Sequence, residues 1–325
     1  MSVLLEAHGL VQQYTTGKSL FGRPGVVRAV DGIDLSVAEG EILGVVGESG
    51  SGKSTLGRML LGLETPFAGK VLYHGQPMPA PRTEHWRRLR AQMQLIFQDP
   101  LAALDRRMTV AAQIAEPLEI HGLARGAELA ERVEGLMGRV GLRRDQADRY
   151  PHELSGGQRQ RVVIARALAT SPRFLVCDEP VSALDVSIQA QVVNLLLDLQ
   201  EQDGLTMVFI SHDLKVVRNI CDRVAVMYLG RVVEEAPSDR IFADPRHPYT
   251  QALVSSIPRA GQGLGGRIIL HGEPPNPAAR PPGCAFHPRC RFADAGCAAQ
   301  VPRLENHGGR LAACLKLPCP ARQAA

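Results

Sequence analysis

The stretch Leu43-Gly44-Val45-Val46-Gly47-Glu48-Ser49-Gly50-Ser51-Gly52-Lys53-Ser54-Thr55 joins an apolar, strand-like run to the start of a helical pattern. Its glycines after Val46 permit backbone conformations that a Cβ would forbid, so successive N–H groups can converge on one anion at a helix N-terminus. Lys53 adds a positive charge for the β and γ phosphates of a nucleotide, and Ser54 offers a hydroxyl to Mg²⁺. The alternative is a chance glycine-rich turn. Because the loop stands between a strand and a helix, the stretch predicts a phosphate-binding loop.

The composition bounds the class of protein. A chain of 325 residues can bury a full core, and its net charge of +4 comes from basic residues that are interspersed with acidic ones, which does not favour nucleic acid. The first residues lack a basic segment followed by an apolar core, and no apolar run approaches the roughly 18 residues of a membrane span. We therefore expect a cytosolic chain, either soluble or peripheral to a membrane.

The hydrophobic pattern predicts mixed α/β segments on both sides of a mostly helical stretch. The predicted strands cover residues 2–14, 26–37, 70–75, 93–97, 174–177 and 205–210. The predicted helices cover residues 82–91, 109–121, 126–141 and 186–200, with one more that opens at 154–158 and ends at 168. A turn-rich loop, residues 16–25, separates the first two strands. The helical stretch between Asp99 and Arg149 therefore forms an inserted layer.

The segment Leu154-Ser155-Gly156-Gly157-Gln158 opens the helix that runs to Leu168. Ser155 is placed to cap this helix, and the two glycines leave its first N–H groups uncovered. The segment therefore predicts a second anion site, one without a lysine. A capped helix start with no further role is the alternative.

Acidic and polar residues follow two predicted buried strands. Asp178 and Glu179 come after the strand Phe174–Cys177, and such adjacent carboxylates are costly unless a cation or a polar group lies beside them. We predict that Asp178 is a partner of Mg²⁺ and that Glu179 polarises water. His212 follows the next strand, where ligands bind in sheets of this type, and we favour a contact with a γ-phosphate over a structural role.

Tyr14 closes the first predicted strand. An aromatic ring at this position either stacks on an adenine or is an ordinary strand residue, and the spacing alone does not separate the two.

These motifs together resemble the nucleotide-binding subunit of an ATP-binding-cassette (ABC) transporter, over residues 1 to about 260. The resemblance implies an α/β fold: a P-loop NTPase core with an antiparallel β subdomain and an inserted helical subdomain at about 99–170. It implies that ATP is bound by Tyr14, Gly47, Glu48, Ser49, Gly50, Ser51, Gly52, Lys53, Ser54 and Thr55. It further implies that Ser54, Gln98 and Asp178 surround Mg²⁺, and that Glu179, His212 and Gln98 serve catalysis.

In such cassettes two chains meet head to tail with ATP between them. The resemblance implies that Ser155, Gly156, Gly157 and Gln158 complete the ATP site of the partner cassette. Asp185 is similar to the residue that crosses this interface. ATP bridges both halves and ADP does not, so hydrolysis would convert a closed dimer into an open one.

The C-terminal part, residues 261–325, is separate in composition. The segment from Asp244 to Leu253 and the run at 272–275 resemble the C-terminal region of dipeptide and oligopeptide importers. Five of the seven cysteines lie beyond residue 280, which in a reducing compartment indicates a metal or a cluster more readily than disulfides. The ligand candidates are Cys284, Cys290, Cys297 and Cys314, whose C-x5-C-x6-C-x16-C spacing lacks the close pairs of most zinc fingers. Members of this importer group with a similar tail carry a [4Fe-4S] cluster; Zn²⁺, thiols and disulfides are the alternatives, and Cys319 is a spare or competing ligand.

The resemblance implies an ATPase that drives uptake of di- or oligopeptides. Its expected partners are a second ABC ATPase subunit, two membrane permease subunits and, indirectly, a substrate-binding protein. The chain itself is expected at the cytoplasmic face of the inner membrane, as a peripheral subunit. The loop after Tyr14 resembles the second of two unlike cassettes, which favours a heterodimer. One rival is a soluble non-transport ABC ATPase that acts on ribosomes or DNA, although these usually have two phosphate loops in one chain or a long coiled coil. The other is an importer of nickel or another small solute.

Overall fold

The computed structural model describes residues 2–16, 25–258 and 267–317. Residues 17–24 of the predicted loop and Cys319 lie outside this part of the chain. Across the described ranges, no helix combines the length and the hydrophobicity that a membrane crossing requires.

The strands alternate with helices along most of the chain. The strands are β1 (Val3–Thr16), β2 (Gly25–Ala38), β3 (Ile42–Val46), β4 (Ala68–Tyr73), β5 (Gln76–Pro77), β6 (Met93–Ile96), β7 (Phe174–Asp178), β8 (Thr206–Ser211), β9 (Arg223–Tyr228), β10 (Arg231–Pro237), β11 (Glu305–Asn306) and β12 (Leu311–Ala312).

The helices are concentrated between β6 and β8. They are α1 (Lys53–Leu60), α2 (Glu84–Gln92), α3 (Pro100–Ala103), α4 (Val110–Ile120), α5 (Gly126–Arg139), α6 (Gly156–Leu168), α7 (Val186–Asp203), α8 (Leu214–Ile220), α9 (Ser238–Ala243), α10 (Pro248–Ser255) and α11 (Ala295–Ala299). Short 3₁₀ turns cover Arg144–Gln146, Pro151–Glu153, Pro277–Ala279 and His287–Arg289.

The chain forms two compact units. The helical unit contains the first residues, Val37–Glu41 and Tyr73–Ile210. The phosphate-loop unit contains Leu5–Ser36, Ile42–Leu72 and the chain from Ser211 onwards.

The helical unit is built on three parallel strands in the order β8-β7-β6. Phe174 at the start of β7 lies opposite Met93 of β6 and Thr206 of β8. Phe174 to Cys177 are fully buried, as expected for a central parallel strand with both faces covered. Helix α6 packs on β6 and contacts α3, α4, α5 and α7, so the helix that the Leu154–Gln158 segment opens is the centre of the helical layer.

The phosphate-loop unit contains a mixed sheet in the order β11-β12-β10-β9-β3. Strand β3 pairs with β9 in parallel, and β9, β10, β12 and β11 are joined by antiparallel pairing. All five residues of β3 are buried, which explains the continuous apolar run before the loop. The C-terminal tail adds β12 to the edge of β10, where Ala312 lies opposite Glu234. In the same unit β2, β1 and β4 follow one another in a second sheet.

The element boundaries differ from the predictions by a few residues, for local reasons. Helix α2 begins at Glu84 rather than Arg82, because the Thr83 hydroxyl accepts the Trp86 N–H and caps the helix there. Helix α7 continues to Asp203 rather than Gln200, because the left-handed conformation that ends it is at Gly204 (φ 63°).

Candidate functional site

The loop after β3 runs from Gly47 to Gly52, and α1 starts at Lys53. A Cβ on Gly47 would lie 2.2 Å from the Met227 carbonyl oxygen, so only glycine allows this approach to β9. Gly52 has φ 100°, and a Cβ there would lie 1.9 Å from the Ala29 carbonyl oxygen. These two glycines fix the path of the loop, and they place the N-terminus of α1 directly after it.

Lys53 points back into the loop rather than outward. Its side chain is 5 % exposed, and its Nζ donates hydrogen bonds to the carbonyl oxygens of Gly47 (2.9 Å) and Glu48 (3.0 Å). The ammonium group is therefore fixed against the first two residues of the loop. A phosphate at this position would meet a fixed positive charge together with backbone N–H groups.

Tyr14 lies beside the start of α1. Its hydroxyl donates a hydrogen bond to the Glu64 carboxylate, while the residue stays 39 % exposed. Burial and the neighbouring carboxylate raise the pKa of Tyr14. The hydroxyl contact anchors the ring next to the phosphate loop, and the exposed face is a surface on which a planar base can stack.

The carboxylates predicted for metal and water are at the end of β7. Asp178 is the last residue of the strand, and Glu179 follows in a left-handed conformation, with φ 47°. The Glu179 N–H donates to the Ile210 carbonyl oxygen (2.9 Å). Gln98 Nε2 donates to Glu179 Oε2 at 3.0 Å, so the helical unit brings Gln98 and Glu179 together. With its amide nitrogen on Glu179, Gln98 has its amide oxygen as the donor atom for a cation.

His212 comes immediately after β8 and is exposed. The residues around it form a tight turn: the Asp213 N–H donates to Ser211 Oγ (3.0 Å), and Asp213 Oδ1 accepts the Lys215 N–H (2.8 Å) and caps α8. The imidazole is therefore presented from a structured turn at the carboxyl end of a buried strand.

The segment 154–158 has the capped geometry that its sequence predicts. Ser155 Oγ accepts the Gln158 N–H (3.3 Å), and Gln158 Oε1 accepts the Ser155 N–H (2.9 Å), which is a reciprocal capping box. A Cβ on Gly157 would lie 2.6 Å from Ile188 Cγ2, whereas one on Gly156 would have 3.5 Å to its nearest neighbour, Leu184 Cδ2. Gly157 is thus needed for the packing of α6 against α7, and Gly156 is not.

The remaining predicted residue of the helical unit is Asp185, at the N-cap position of α7, where it is exposed. Its carbonyl oxygen accepts the Gln189 N–H (2.8 Å), so the backbone is fixed while the carboxylate faces solvent. Val186, the next residue, is 81 % exposed, which makes this an open apolar and acidic corner of the unit.

Four of the cysteines of the tail line one small cavity with His247 and Phe286. These cysteines are Cys284, Cys290, Cys297 and Cys314. The Cys314 sulfur accepts the backbone N–H of Lys316 (3.4 Å). Among the described residues, no group of three or more His, Cys, Asp or Glu side chains has the geometry to hold a metal ion.

Burial shifts the titration of groups in and around this cavity. It raises the pKa of Cys284 to about 11 and also raises that of Cys290, with smaller contributions from the neighbouring thiols. Burial lowers the pKa of His247 to about 3, so its imidazole is neutral, and its Nδ1 accepts the Tyr249 N–H (3.1 Å). The Cys284 and Cys290 thiols are therefore protonated at neutral pH unless a cation draws the protons off.

The sequence did not predict the contacts that the C-terminal region makes with the phosphate loop. The Arg289 guanidinium donates to both carboxylate oxygens of Glu48 (2.8 and 3.1 Å), and the Tyr249 hydroxyl accepts the Glu48 N–H (2.9 Å). Arg289 lies inside the cysteine motif and Tyr249 inside the segment that carries the importer resemblance. Because the partners are 241 and 201 residues apart in sequence, no local pattern could have indicated these contacts.

Two family models match the chain. The model for ABC transporters matches residues 30–182, and the model for the oligopeptide/dipeptide transporter C-terminal region matches residues 233–297.

Relatives align over nearly the whole chain. A putative peptide import ATP-binding protein of Brucella ovis is 49% identical over 96% of this chain and 98% of its own length. The dipeptide transport ATP-binding protein DppF of Haemophilus influenzae is 48% identical over 97% of both chains.

Solved structures agree with this fold. A dimeric ATP-binding cassette in a post-hydrolysis state, bound to ADP and Pi, is 29% identical and covers 72% of this chain and 99% of its own, with a TM-score of 0.65. The cbiO1 protein of Clostridium perfringens, part of the ABC transporter complex cbiONQ, is 28% identical over 75% of this chain and 92% of its own, with a TM-score of 0.64.

The fold and the family models define an ATP-binding cassette of the ABC class, an ATPase. The predicted fold class is therefore confirmed. Within that class, the chain belongs to the ATP-binding proteins of the peptide and dipeptide import family.

Proposed function

We propose that the chain is the ATP-hydrolysing subunit that drives uptake of di- or oligopeptides through separate membrane permease subunits. The observation that carries the proposal is the match to the oligopeptide/dipeptide transporter C-terminal region beside the ABC transporter match, in one chain whose relatives are named for peptide import.

Residues from several motifs serve hydrolysis in this proposal. From the phosphate-loop unit, residues 47–55 bind the phosphates, Tyr14 stacks on the adenine and His212 contacts the γ-phosphate. The buried Lys53 ammonium and the exposed Tyr14 ring support these assignments. From the helical unit, Glu179 is the base that activates water, and its hydrogen bond from Gln98 supports that role.

Magnesium would be held by oxygen ligands from three of these residues. Ser54 provides a hydroxyl, Asp178 a carboxylate and Gln98 its amide oxygen, which is a donor set that suits this hard cation. When bound, Mg²⁺ neutralises charge on the β and γ phosphates. The fit rests on the position of Asp178 at the strand end and on the orientation of the Gln98 amide.

The segment Ser155–Gln158 would bind the ATP of a partner cassette. Its capping box leaves the N–H groups of Gly156 and Gly157 at the N-terminus of α6, a site that favours an anion but has no lysine. We infer that the partner is an unlike cassette, which makes a heterodimer with Asp185 at its interface. Two permease subunits and, indirectly, a substrate-binding protein complete the system, in which this chain lies at the cytoplasmic face of the inner membrane.

The cysteine cavity would hold a [4Fe-4S] cluster through Cys284, Cys290, Cys297 and Cys314. The cavity supports this because all four cysteines line it and the Cys314 sulfur accepts a backbone N–H group, as thiolate ligands of clusters do. Zn²⁺ is the alternative occupant. Either group, when bound, cross-links a tail that is rich in turns and too small to form its own core.

Transport by the purified complex tests the proposed function. The chain, its partner cassette and the permeases are reconstituted in liposomes with the substrate-binding protein outside and ATP inside. We expect ATP-dependent uptake of a labelled dipeptide, and at least a roughly 100-fold weaker ATP affinity for the Lys53→Ala chain, because two orders of magnitude correspond to the loss of a close charge–phosphate contact. Lys70→Ala, at an exposed position in β4, is the matched control.

The same assay separates the rivals. Uptake of Ni²⁺ without uptake of peptide would show that the chain serves an importer of small solutes instead. Hydrolysis that no permease and no peptide stimulates would favour a non-transport ATPase. Unchanged ATP binding by the Lys53→Ala chain would remove the phosphate-loop assignment.

A further inference from the structure

A buried aromatic cluster connects the C-terminal region with the end of β9. Tyr228, Tyr249 and Phe286 have ring centroids 4.7 to 5.4 Å apart, and each is at most 2 % exposed. His247 joins the cluster at 5.7 Å from Phe286. Packing of this density fixes the rotamers of its members, so the Tyr249 hydroxyl is held rigidly where it accepts the Glu48 N–H (2.9 Å).

The second contact to Glu48 is an ion pair. The Arg289 side chain is 7 % exposed and the Glu48 side chain 27 %, and the guanidinium donates to both carboxylate oxygens. Such bidentate pairs are directional as well as strong. Arg289 ends a single 3₁₀ turn, His287–Arg289, that Phe286 anchors in the aromatic cluster. The guanidinium is therefore presented by a packed element and not by a free loop.

Glu48 is the second residue of the phosphate loop. Its negative charge is unfavourable in a loop that binds an anion. An uncompensated carboxylate so close to a triphosphate would repel it, and at the effective dielectric of a half-buried site this repulsion weakens binding by roughly tenfold. The pairing with Arg289 cancels the charge. The two contacts to Glu48 also fix the backbone of the loop from outside it.

We propose that Arg289 is a positioning residue of the nucleotide site: it neutralises and orients Glu48, so that the C-terminal region tunes the affinity of the phosphate loop for a nucleoside triphosphate. This inference rests on the proposed phosphate-binding role of residues 47–55. It gives the C-terminal region a part in nucleotide binding that is independent of what the cysteine cavity holds.

The test measures Mg·ATP binding to the full-length chain by calorimetry. We expect Arg289→Gln to raise the Kd about tenfold, because the Glu48 charge is then exposed. The matched control is Arg291→Gln, which removes an exposed arginine two residues away and stays within twofold of the parent. In a Glu48→Gln background the Arg289→Gln change should cost less than threefold, since no carboxylate is left to neutralise.

Several outcomes would overturn the inference. It fails if the Kd of Arg289→Gln equals that of the parent, or if the tenfold loss persists in the Glu48→Gln background. Thermal melts without nucleotide check folding. If Arg289→Gln does not fold, Arg289→Lys replaces it and must raise the Kd at least about threefold, because an ammonium cannot reproduce the bidentate pair. A parent chain that binds no better than Lys53→Ala would instead refute the proposed nucleotide site.

Discussion

Glu179 shows how neighbouring groups hold a single residue in a strained backbone conformation. A φ of 47° is rare for a residue with a Cβ and costs of the order of 1–3 kcal/mol, so neighbouring groups must stabilise it. They do so from three sides: the Ile210 carbonyl oxygen accepts its N–H, the Ser182 hydroxyl donates to its carbonyl oxygen (3.1 Å) and Gln98 donates to its carboxylate. Strain that is supported in this way is typical of a functional position.

The Glu179→Gln variant is expected to bind ATP and not to hydrolyse it. The amide keeps the size of the side chain but cannot take a proton from water, and loss of general-base catalysis lowers rates by about 10²–10⁴-fold. We therefore expect the ATPase rate to fall at least roughly 100-fold while the Kd for ATP stays within about threefold, and the ATP-bound cassettes to remain as a trapped dimer. Phosphate release and size-exclusion chromatography with the partner cassette measure the two effects.

The control for this prediction is Glu201→Gln, at an exposed position in α7, which should hydrolyse at the parental rate. A Glu179→Gln chain that does the same would show that another group activates the water. A slow variant that has also lost ATP affinity would mean that Glu179 supports binding rather than catalysis.

At the scale of elements, the contact between α6 and α7 separates two neighbouring glycines. Gly157 leaves room for Ile188, while Gly156 has only ordinary contacts around the place of a Cβ. The same short sequence thus has one position constrained by packing and one that packing leaves unconstrained. A glycine that packing does not require is a candidate for contact with something outside the unit.

We expect alanine at these two positions to act differently. Gly157→Ala should lower the free energy of unfolding by about 1–3 kcal/mol, because its Cβ overpacks against Ile188. Gly156→Ala should change it by no more than about 0.5 kcal/mol and still lower the ATPase rate of the assembled complex, because this face is proposed to meet the ATP of the partner. Urea unfolding of the isolated chain and ATPase assays of the complex separate the two effects.

A double variant checks the packing argument. Ile188→Ala removes the Cγ2 that a Cβ at position 157 would strike, so it should recover at least about 0.5 kcal/mol of the Gly157→Ala loss in a double-mutant cycle. Full ATPase activity of the Gly156→Ala complex would argue against a partner contact at this helix terminus.

At the scale of the whole molecule, the C-terminal region belongs to the phosphate-loop unit and contacts the rest of that unit at several points. Strand β12 pairs with β10, and Asp31 of β2 forms ion pairs with Arg231 (2.8 Å) and with Arg280 of the tail. The Asp31 side chain is 7 % exposed, so its carboxylate is largely removed from water and is costly to leave without these partners. The cysteine cavity and the phosphate loop thus belong to the same compact unit.

We expect the chain purified without oxygen to be brown and to contain about four irons, the content of one [4Fe-4S] cluster. Cys290→Ser should lose colour and iron, because it removes one of the proposed thiolates. Cys319→Ser is the matched control and should keep both, since it leaves the four proposed ligands in place. Metal analysis and visible absorption measure the outcome.

Two results would redirect this assignment. If the protein is colourless and contains zinc, the cavity is a Zn²⁺ site and not a cluster site. If iron is retained in Cys290→Ser and lost in Cys319→Ser, then Cys319, and not Cys290, is a ligand of the cluster.

Local patterns in the sequence were enough to predict β1–β4, β6–β8, α1, α2 and α4–α7, whereas the helices and strands after residue 211 were not predicted. The Ser155 cap and the apolar run before Gly47 produced correct element positions, because capping and burial periodicity act between residues that are close in the chain. The order of motifs likewise identified the family. The errors at the ends of α2 and α7 arose at single capping residues, Thr83 and Gly204, whose signals are short.

The sequence by itself determined the class of protein and the residues proposed to bind ATP. Those residues lie in short segments, and their chemistry can be inferred from the segment alone, without knowledge of distant contacts. Only the tertiary structure decided that the tail adds a strand to β10 and that Arg289 pairs with Glu48 across 241 residues. The physical reason is range: hydrogen bonds and caps along a helix or turn are set by neighbours in sequence, whereas an ion pair between distant segments exists only after the core has packed and brought its two charges together.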